Sequence, residues 1–190
     1  MAKLAGYSVA ILASDGFEQS ELQVPQRRLK DEGAAVEVIA PKAGTIKGWS
    51  KKNWGDEVKV DRTLSDASVD DYDALILPGG VINPDHLRMN EDAVDFVRAF
   101  YESGKPLAAI CHGQWLLVEA GILDGKTATS WPSLRTDMTN AGASWVDREV
   151  VVDDGLITSR KPEDLDAFCA KLVEEILEGE HSDRESETAR

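Results

Sequence analysis

Pro106-Leu107-Ala108-Ala109-Ile110-Cys111-His112-Gly113-Gln114-Trp115-Leu116-Leu117 is the stretch whose reading decides the fold. Small and apolar residues after a proline read as a buried strand, and the apolar, helix-forming run from Gln114 to Ala120 reads as a helix. Cys111 and His112 therefore fall on the turn between them, the geometry of a nucleophile elbow, where a sharp connection lifts a Ser or Cys above the sheet. Small neighbours such as Ala109 and Gly113 relieve the crowding that such a turn creates. The start of the helix beneath Cys111 offers unpaired N–H groups and a partial positive charge, which favour a thiolate. A small buried hydrophobe is the ordinary role of a free cysteine, and on this stretch alone the two readings are evenly matched.

Working outward, Tyr7 to Ala13 is a second continuous apolar run, as expected of a central parallel strand buried on both faces. Gly16 to Glu21 follows as a loop, with Ser20 placed to cap a helix that runs to about Glu32 and stops at Gly33. Pro25 is expected in the first turns of that helix, where proline costs least. Ala35 to Ala40 is the next strand and completes a βαβ unit. Between Lys42 and Arg62 the rhythm breaks, and the glycines and the alternation of Glu57 to Val60 predict a short antiparallel excursion at the sheet edge. Ala74 to Leu77 is a third buried strand, ending in Pro78-Gly79-Gly80, whose glycines let backbone N–H groups approach a ligand closely. Asn83 to Leu87 opens a short helical segment, and Asn90 caps an amphipathic helix that reaches Gly104. Lys126 to Trp131 reads as a strand, Leu134 to Ala141 as a short helix, and Val150 to Ser159 as a hairpin turning at Asp154-Gly155. The last helix starts near Pro162 and carries Cys169 on its apolar stripe, so Cys169 is read as core. The pattern is α/β with a mainly parallel sheet and helices on both faces.

Composition narrows the function classes. A chain of 190 residues, 42% hydrophobic and 29% charged, is long enough for one domain with a substantial core. We expect that domain over residues 1–178 and a disordered acidic tail over 179–190, which has no apolar anchor. The formal net charge of -14 argues against nucleic acid or an anionic membrane surface as a partner. Two cysteines are too few for a disulfide scaffold and fit a reducing compartment. With no signal-peptide pattern and no apolar run approaching a membrane span, a cytoplasmic location is expected. The three histidines, His86, His112 and His181, lack zinc-enzyme spacing, so neither metal nor other cofactor is expected.

Glu18 after the first strand, Leu77-Pro78-Gly79-Gly80, Asn90-Glu91 and Ala109-Ile110-Cys111-His112-Gly113, in this order, resemble the PfpI-type intracellular proteases and deglycases of the DJ/PfpI superfamily. The similarity runs from about Tyr7 to Ile176. It implies a flavodoxin-like sandwich of the class that the strand and helix pattern gives independently. By the same resemblance Cys111 is the nucleophile, His112 its adjacent histidine, and Glu18 the carboxylic acid beside the sulfur, kept protonated there so that it stabilises the thiolate. Gly80, next to Gly79, and His112 supply backbone donors to the sulfur and to a developing oxyanion. The family's third triad member, a glutamate reaching a neighbouring subunit, is replaced by the shorter Asp85, and a role for Asp85 across an interface requires a homodimer or larger homo-oligomer.

The leading functional reading is thus a cysteine-dependent hydrolase acting on a carbonyl, with a role in stress protection. Its substrate is a peptide, a small aldehyde such as methylglyoxal or glyoxal, or a glycated protein; an enclosed site would favour the aldehyde chemistry, with Trp115, Trp131 and His86 available as walls. The alternative is a redox-responsive stress protein or holdase, signalled by oxidation of Cys111 to sulfenic or sulfinic acid while Cys169 is spared. A glutamine amidotransferase is set aside, because the late His-x-Glu pair is missing from Arg160-Lys161-Pro162-Glu163.

Overall fold

The protein is described here by a computed structural model covering residues 2–181. In chain order its elements are β1 (Ser8–Leu12), β2 (Phe17–Glu18), α1 (Gln19–Asp31), β3 (Ala35–Ala40), β4 (Thr45–Ser50), β5 (Asn53–Lys59), β6 (Arg62–Thr63), β7 (Ala74–Leu77), α2 (Ile82–Arg88), α3 (Glu91–Glu102), β8 (Leu107–Ile110), α4 (Gln114–Ala120), β9 (Thr127–Ala128), α5 (Arg135–Asn140), β10 (Ser144–Trp145), β11 (Val150–Asp153), β12 (Leu156–Ser159) and α6 (Leu165–Glu178). The main sheet has the order β11-β12-β8-β7-β1-β3-β6 and is parallel except for β11. Its inner order, β3-β1-β7-β8-β12, is that of the doubly wound flavodoxin-like sandwich, whose direction of winding reverses between β1 and β7.

Side chains alternate across the pleat and build two cores. Val9, Ile11, Ile76, Ala108 and Ile110 face α1 and α6, packing with Leu22, Leu29, Phe168 and Leu172. Ala10, Leu12, Leu75, Leu77 and Ala109 face the opposite way, toward Leu87, Val97, Phe100 and Leu117 of α2, α3 and α4. Because β1, β7 and β8 are covered on both sides, their continuous apolar runs leave no polar face to expose. Cys169 lies in the first core, 4% exposed, as its position on the apolar stripe of α6 predicts.

Several local expectations are corrected by tertiary context. Glu18, not Ser20, occupies the cap position of α1, and its side chain makes no capping bond; Ser20 Oγ lies inside the helix and donates to Glu18 Oε1 at 3.2 Å. Pro25 sits in the helix interior, buried, and removes the N–H that would have bonded the carbonyl of Glu21 one turn earlier. The excursion between residues 42 and 62 is a β4–β5 hairpin that joins β2 in a separate three-stranded sheet. The strand read over 126–131 shrinks to β9, paired with β10, because Thr129 turns its N–H to the Thr158 hydroxyl at 3.0 Å. Of the expected tail, Gly179 to His181 are attached: the His181 N–H donates to the Gly104 carbonyl at 2.8 Å. Residues 182–190 lie outside the described residues.

The reversal of winding leaves the loops after β1 and β7 side by side, and a buried Asn83 joins them. Its amide donates to the carbonyls of Pro78 and Gly79 at 3.0 and 3.1 Å, while its Oδ1 accepts from the Ser14 N–H at 2.7 Å. With the backbone bond from the Glu18 N–H to the Gly79 carbonyl at 3.2 Å, this side chain fixes the spacing of both loops. We expect Asn83→Ala to cost about 2–4 kcal/mol, since several enclosed polar groups lose partners at about 1–3 kcal/mol each. Urea denaturation measures the loss, and an unchanged midpoint would show that Asn83 does not hold the loops.

Candidate active site

β8 ends at Ile110, and the next residue, Cys111, has φ of 65°, in the left-handed region that costs a side-chain-bearing residue about 1–3 kcal/mol. Surrounding bonds hold it there. The Cys111 N–H donates to Ser159 O at 3.1 Å, the Trp131 N–H donates to Cys111 O at 3.2 Å, and the Gly113 N–H donates back to Ile110 O at 2.9 Å. Gly113 is required at the elbow, for a Cβ there would strike the carbonyls of Leu77, Ile110 and Pro78. Gln114, the first residue of α4, is fully buried and reaches from Thr129 O (2.9 Å) to Ser159 O (2.8 Å), tying the elbow to the strands beside it.

This backbone turn directs the Cys111 side chain toward the β7 loop. A Cβ on Gly79 would lie 2.7 Å from Cys111 Cβ and 2.5 Å from Glu21 Oε2, so the glycine is what lets thiol and carboxyl approach each other. Gly80, at φ of 80°, has no space for a side chain against the backbone of residues 16–18. The backbone N–H groups of Gly80 and His112 act on the Cys111 sulfur, favouring its thiolate form. The residue is 7% exposed.

The carboxyl beside the sulfur is that of Glu21. Glu18, one turn earlier, is half-buried and hydrogen-bonded to Ser20, so the sequence expectation named the wrong glutamate of the pair. Glu21 is fully buried, and its Oε2 accepts the Gly79 N–H at 2.8 Å. Its Oε1 has no hydrogen-bond partner among the described residues, and the Cys111 side chain is coupled to the same carboxyl. Burial holds Glu21 well above the usual carboxylate range, with the charge of Glu18 adding to the rise and the Gly79 N–H opposing it. Burial likewise pushes the Cys111 thiol up, and a charged Glu21 would push it further, whereas the His112 and Gly80 N–H groups pull it down. Two desolvated anions in contact are costly, so at neutral pH the pair carries one negative charge at most. A signal for Glu21 was present in the sequence: helical spacing from Leu22, Pro25 and Leu29 places it on the buried stripe of α1.

His112 Nδ1 lies 3.2 Å from Cys111 Sγ, so neighbours on this turn do touch. Its ring is edge-on to Trp115 at 5.1 Å and stacked with Trp131 at 5.9 Å. Burial lowers its pKa, which keeps the imidazole neutral. Trp115 is itself fixed, donating to Asp137 at 3.0 Å and lying beneath the Arg88 guanidinium at 5.4 Å. Asp85 is exposed within α2, beyond its cap position, and its carboxylate has no hydrogen bond or ion pair among the described residues. The fold therefore assembles Cys111, His112, Gly79, Gly80 and Glu21 at one sheet edge, and leaves Glu18 and Asp85 outside that group. His86 is exposed and lines a separate surface depression of about 390 Å³ with Ser14, Pro41 and Asn90.

Comparison with known proteins identifies the family of the fold. The profile of the DJ-1/PfpI family matches residues 7–175. The chain is 44% identical over 165 residues to a Pyrococcus furiosus protein named Deglycase PfpI, a match covering 87% of this chain and 96% of that one. It is 45% identical over 165 residues to General stress protein 18 of Bacillus subtilis, covering 86% and 94% of the two chains. Among solved structures, Drosophila melanogaster DJ-1beta superposes with a TM-score of 0.82 at 28% identity, covering 96% of this chain and 95% of that one. With an elbow cysteine, a buried glutamate and two glycines meeting at the edge of a flavodoxin-like sheet, the chain belongs to the DJ-1/PfpI family.

Proposed function

We propose that this protein is a PfpI-type cysteine hydrolase that acts on small carbonyl compounds, as a deglycase of aldehyde adducts on proteins, and so serves in protection against stress. The observation that carries the choice of substrate is the enclosure of Cys111, 7% exposed beneath the β7 loop with an aromatic-flanked His112 beside it. An aldehyde-sized group reaches such a sulfur more readily than an extended peptide, which needs an open cleft. The names of two relatives, a deglycase and a general stress protein, support the same reading.

In this mechanism Glu21 keeps the shared proton, and the sulfur carries the charge under the Gly80 and His112 N–H groups. The thiolate adds to the electrophilic carbonyl carbon, and the displaced electron pair passes to oxygen. N–H donors already aimed at an anion then stabilise the oxyanion, a contribution of about 10²–10³ in rate per donor. His112, neutral and 3.2 Å from the sulfur, passes a proton from solvent to that oxyanion, so the addition ends as a neutral carbon–sulfur adduct. Asp85 belongs to the same proposal as the group that a second copy of the chain presents to His112, which makes a homo-oligomer the active form.

Cys111→Ala is expected to lower turnover of a methylglyoxal–thiol adduct by at least ~10³-fold, in line with loss of a covalent nucleophile, while Cys169→Ala leaves it unchanged. An adduct that disappears equally fast with Cys111→Ala would end this reading. Glu21→Gln removes the shared proton and should reduce kcat/KM by about 10²–10³-fold. Its effect on stability has the opposite sign. A carboxyl whose pKa rises on folding destabilises the native state once the pH exceeds its unfolded value, here 4.5. Glu21→Gln should thus melt above the parent at pH 8 and lose that advantage below about pH 4.5, as differential scanning calorimetry across pH will show. For Asp85→Asn we expect a slower reaction with unchanged size in light scattering; full activity would remove Asp85 from the mechanism.

A further inference from the structure

At the far end of α6, away from Cys111, the chain places three potential metal ligands together. Glu175 and Glu178 lie on successive turns of the helix, Gly179 reverses the chain with φ of 87°, and His181 folds back over the helix end. One donor atom from each lies within 4.8 Å of the others. The seat for His181 is built from backbone: its N–H donates to the Gly104 carbonyl at 2.8 Å, and a Cβ on Gly104 would come within 2.9 Å of the His181 carbonyl oxygen. This imidazole is therefore delivered to the two carboxylates by the path of the chain.

The second observation concerns what these atoms lack. Glu175 is 5% exposed, and among the described residues neither its Oε2 nor His181 Nε2 has a hydrogen-bond partner, although both atoms are buried. They stand 3.2 Å apart without the alignment of a hydrogen bond. With Nε2 unprotonated, as a metal ligand must be, the two atoms are both acceptors and repel unless a positive centre lies between them; with Nε2 protonated they form an ion pair instead. The spacing matches the edge of a tetrahedral site, since ligands about 2.0–2.1 Å from a zinc ion stand about 3.3 Å from one another. In such a site each lone pair points at the metal and not at the neighbouring ligand. The position is electrostatically suited to a cation, because the carbonyl end of a helix carries partial negative charge.

We propose that Glu175, Glu178 and His181 form a site for a divalent transition-metal ion of the zinc type, with water completing the coordination. One imidazole with two carboxylates favours zinc over magnesium or calcium, which take oxygen ligands almost exclusively. The ion would act through stability: it joins the segment after α6 to Gly104, the residue from which the chain enters β8 and the elbow. The linear spacing of the histidines conceals the site, because only one of its three ligands is a histidine.

The test uses the full chain with Cys111→Ser and Cys169→Ser, so that no thiol competes for metal. Isothermal titration with zinc chloride should give one ion per chain with a dissociation constant in the micromolar range or below. Zinc at 100 times that constant should raise the melting temperature by roughly 5–10 °C, and magnesium or calcium should not. His181→Ala and Glu178→Gln should each weaken binding at least tenfold, while His86→Ala leaves it intact. The Glu178 substitution is at an exposed position, so it preserves the fold even if loss of His181 loosens the helix end. Absence of saturable binding below 100 micromolar, or equal affinity in the His181 and Glu178 variants, overturns the proposal.

Discussion

A carboxyl and a thiol pressed together out of water constrain this protein more than any other contact. Each of Glu21 and Cys111 would ionise less readily alone in such surroundings, and together they hold one negative charge at most. Keeping them in contact requires α1, β7 and β8 to meet at one point. It also requires a glycine at 79, where any side chain would separate the two groups, and a left-handed backbone at Cys111. The destabilisation that this local arrangement brings is offset by the two cores on either side of the sheet, whose strands β7, β8 and β12 are buried along their whole length.

The polar groups around the site are arranged to resist relaxation. Asn83 and Gln114, both fully buried, donate their side-chain amide hydrogens to backbone carbonyls of neighbouring loops and strands, and Asn83 also accepts from the Ser14 N–H. Side chains of this kind act as rivets: each satisfies groups that secondary structure leaves unpaired at the sheet edge. The Cys111 sulfur is positioned by backbone bonds on both sides of its residue and faces N–H groups that need no reorganisation when charge develops. His112 is less constrained, held by ring contacts with Trp115 and Trp131 and by proximity to the thiol.

A large part of the fold was legible in the chain because buried parallel strands leave an unmistakable composition. Val9 to Leu12, Ala74 to Leu77 and Leu107 to Ile110 are uninterrupted apolar runs, and turn residues bound each of them. The elbow could be read for a similar reason, since strand, cysteine, glycine and helix follow one another without a gap. Local signals misled where neighbours in space outweighed neighbours in sequence. Ser20 has the chemistry of a helix cap, yet α1 begins before it because β2 pairs with β4 and sets the entry of the chain. Pro25 is accepted inside the helix, where its ring is buried in place of a backbone bond.

The sequence by itself determined the class of fold, the nucleophile candidate and the glycines around it, for these depend on hydrophobic pattern and on backbone conformations that few residues allow. Only the tertiary structure decided which glutamate meets the sulfur. Glu18 and Glu21 are three residues apart and chemically identical, and the difference between them is the direction each takes from the start of α1: one toward solvent and Ser20, the other into the core against Gly79 and Cys111. The helix end that gathers Glu175, Glu178 and His181 was hidden for the same reason. Proximity of charged groups is set by packing and by the reversal at Gly179, and neither is written in the spacing of the residues themselves.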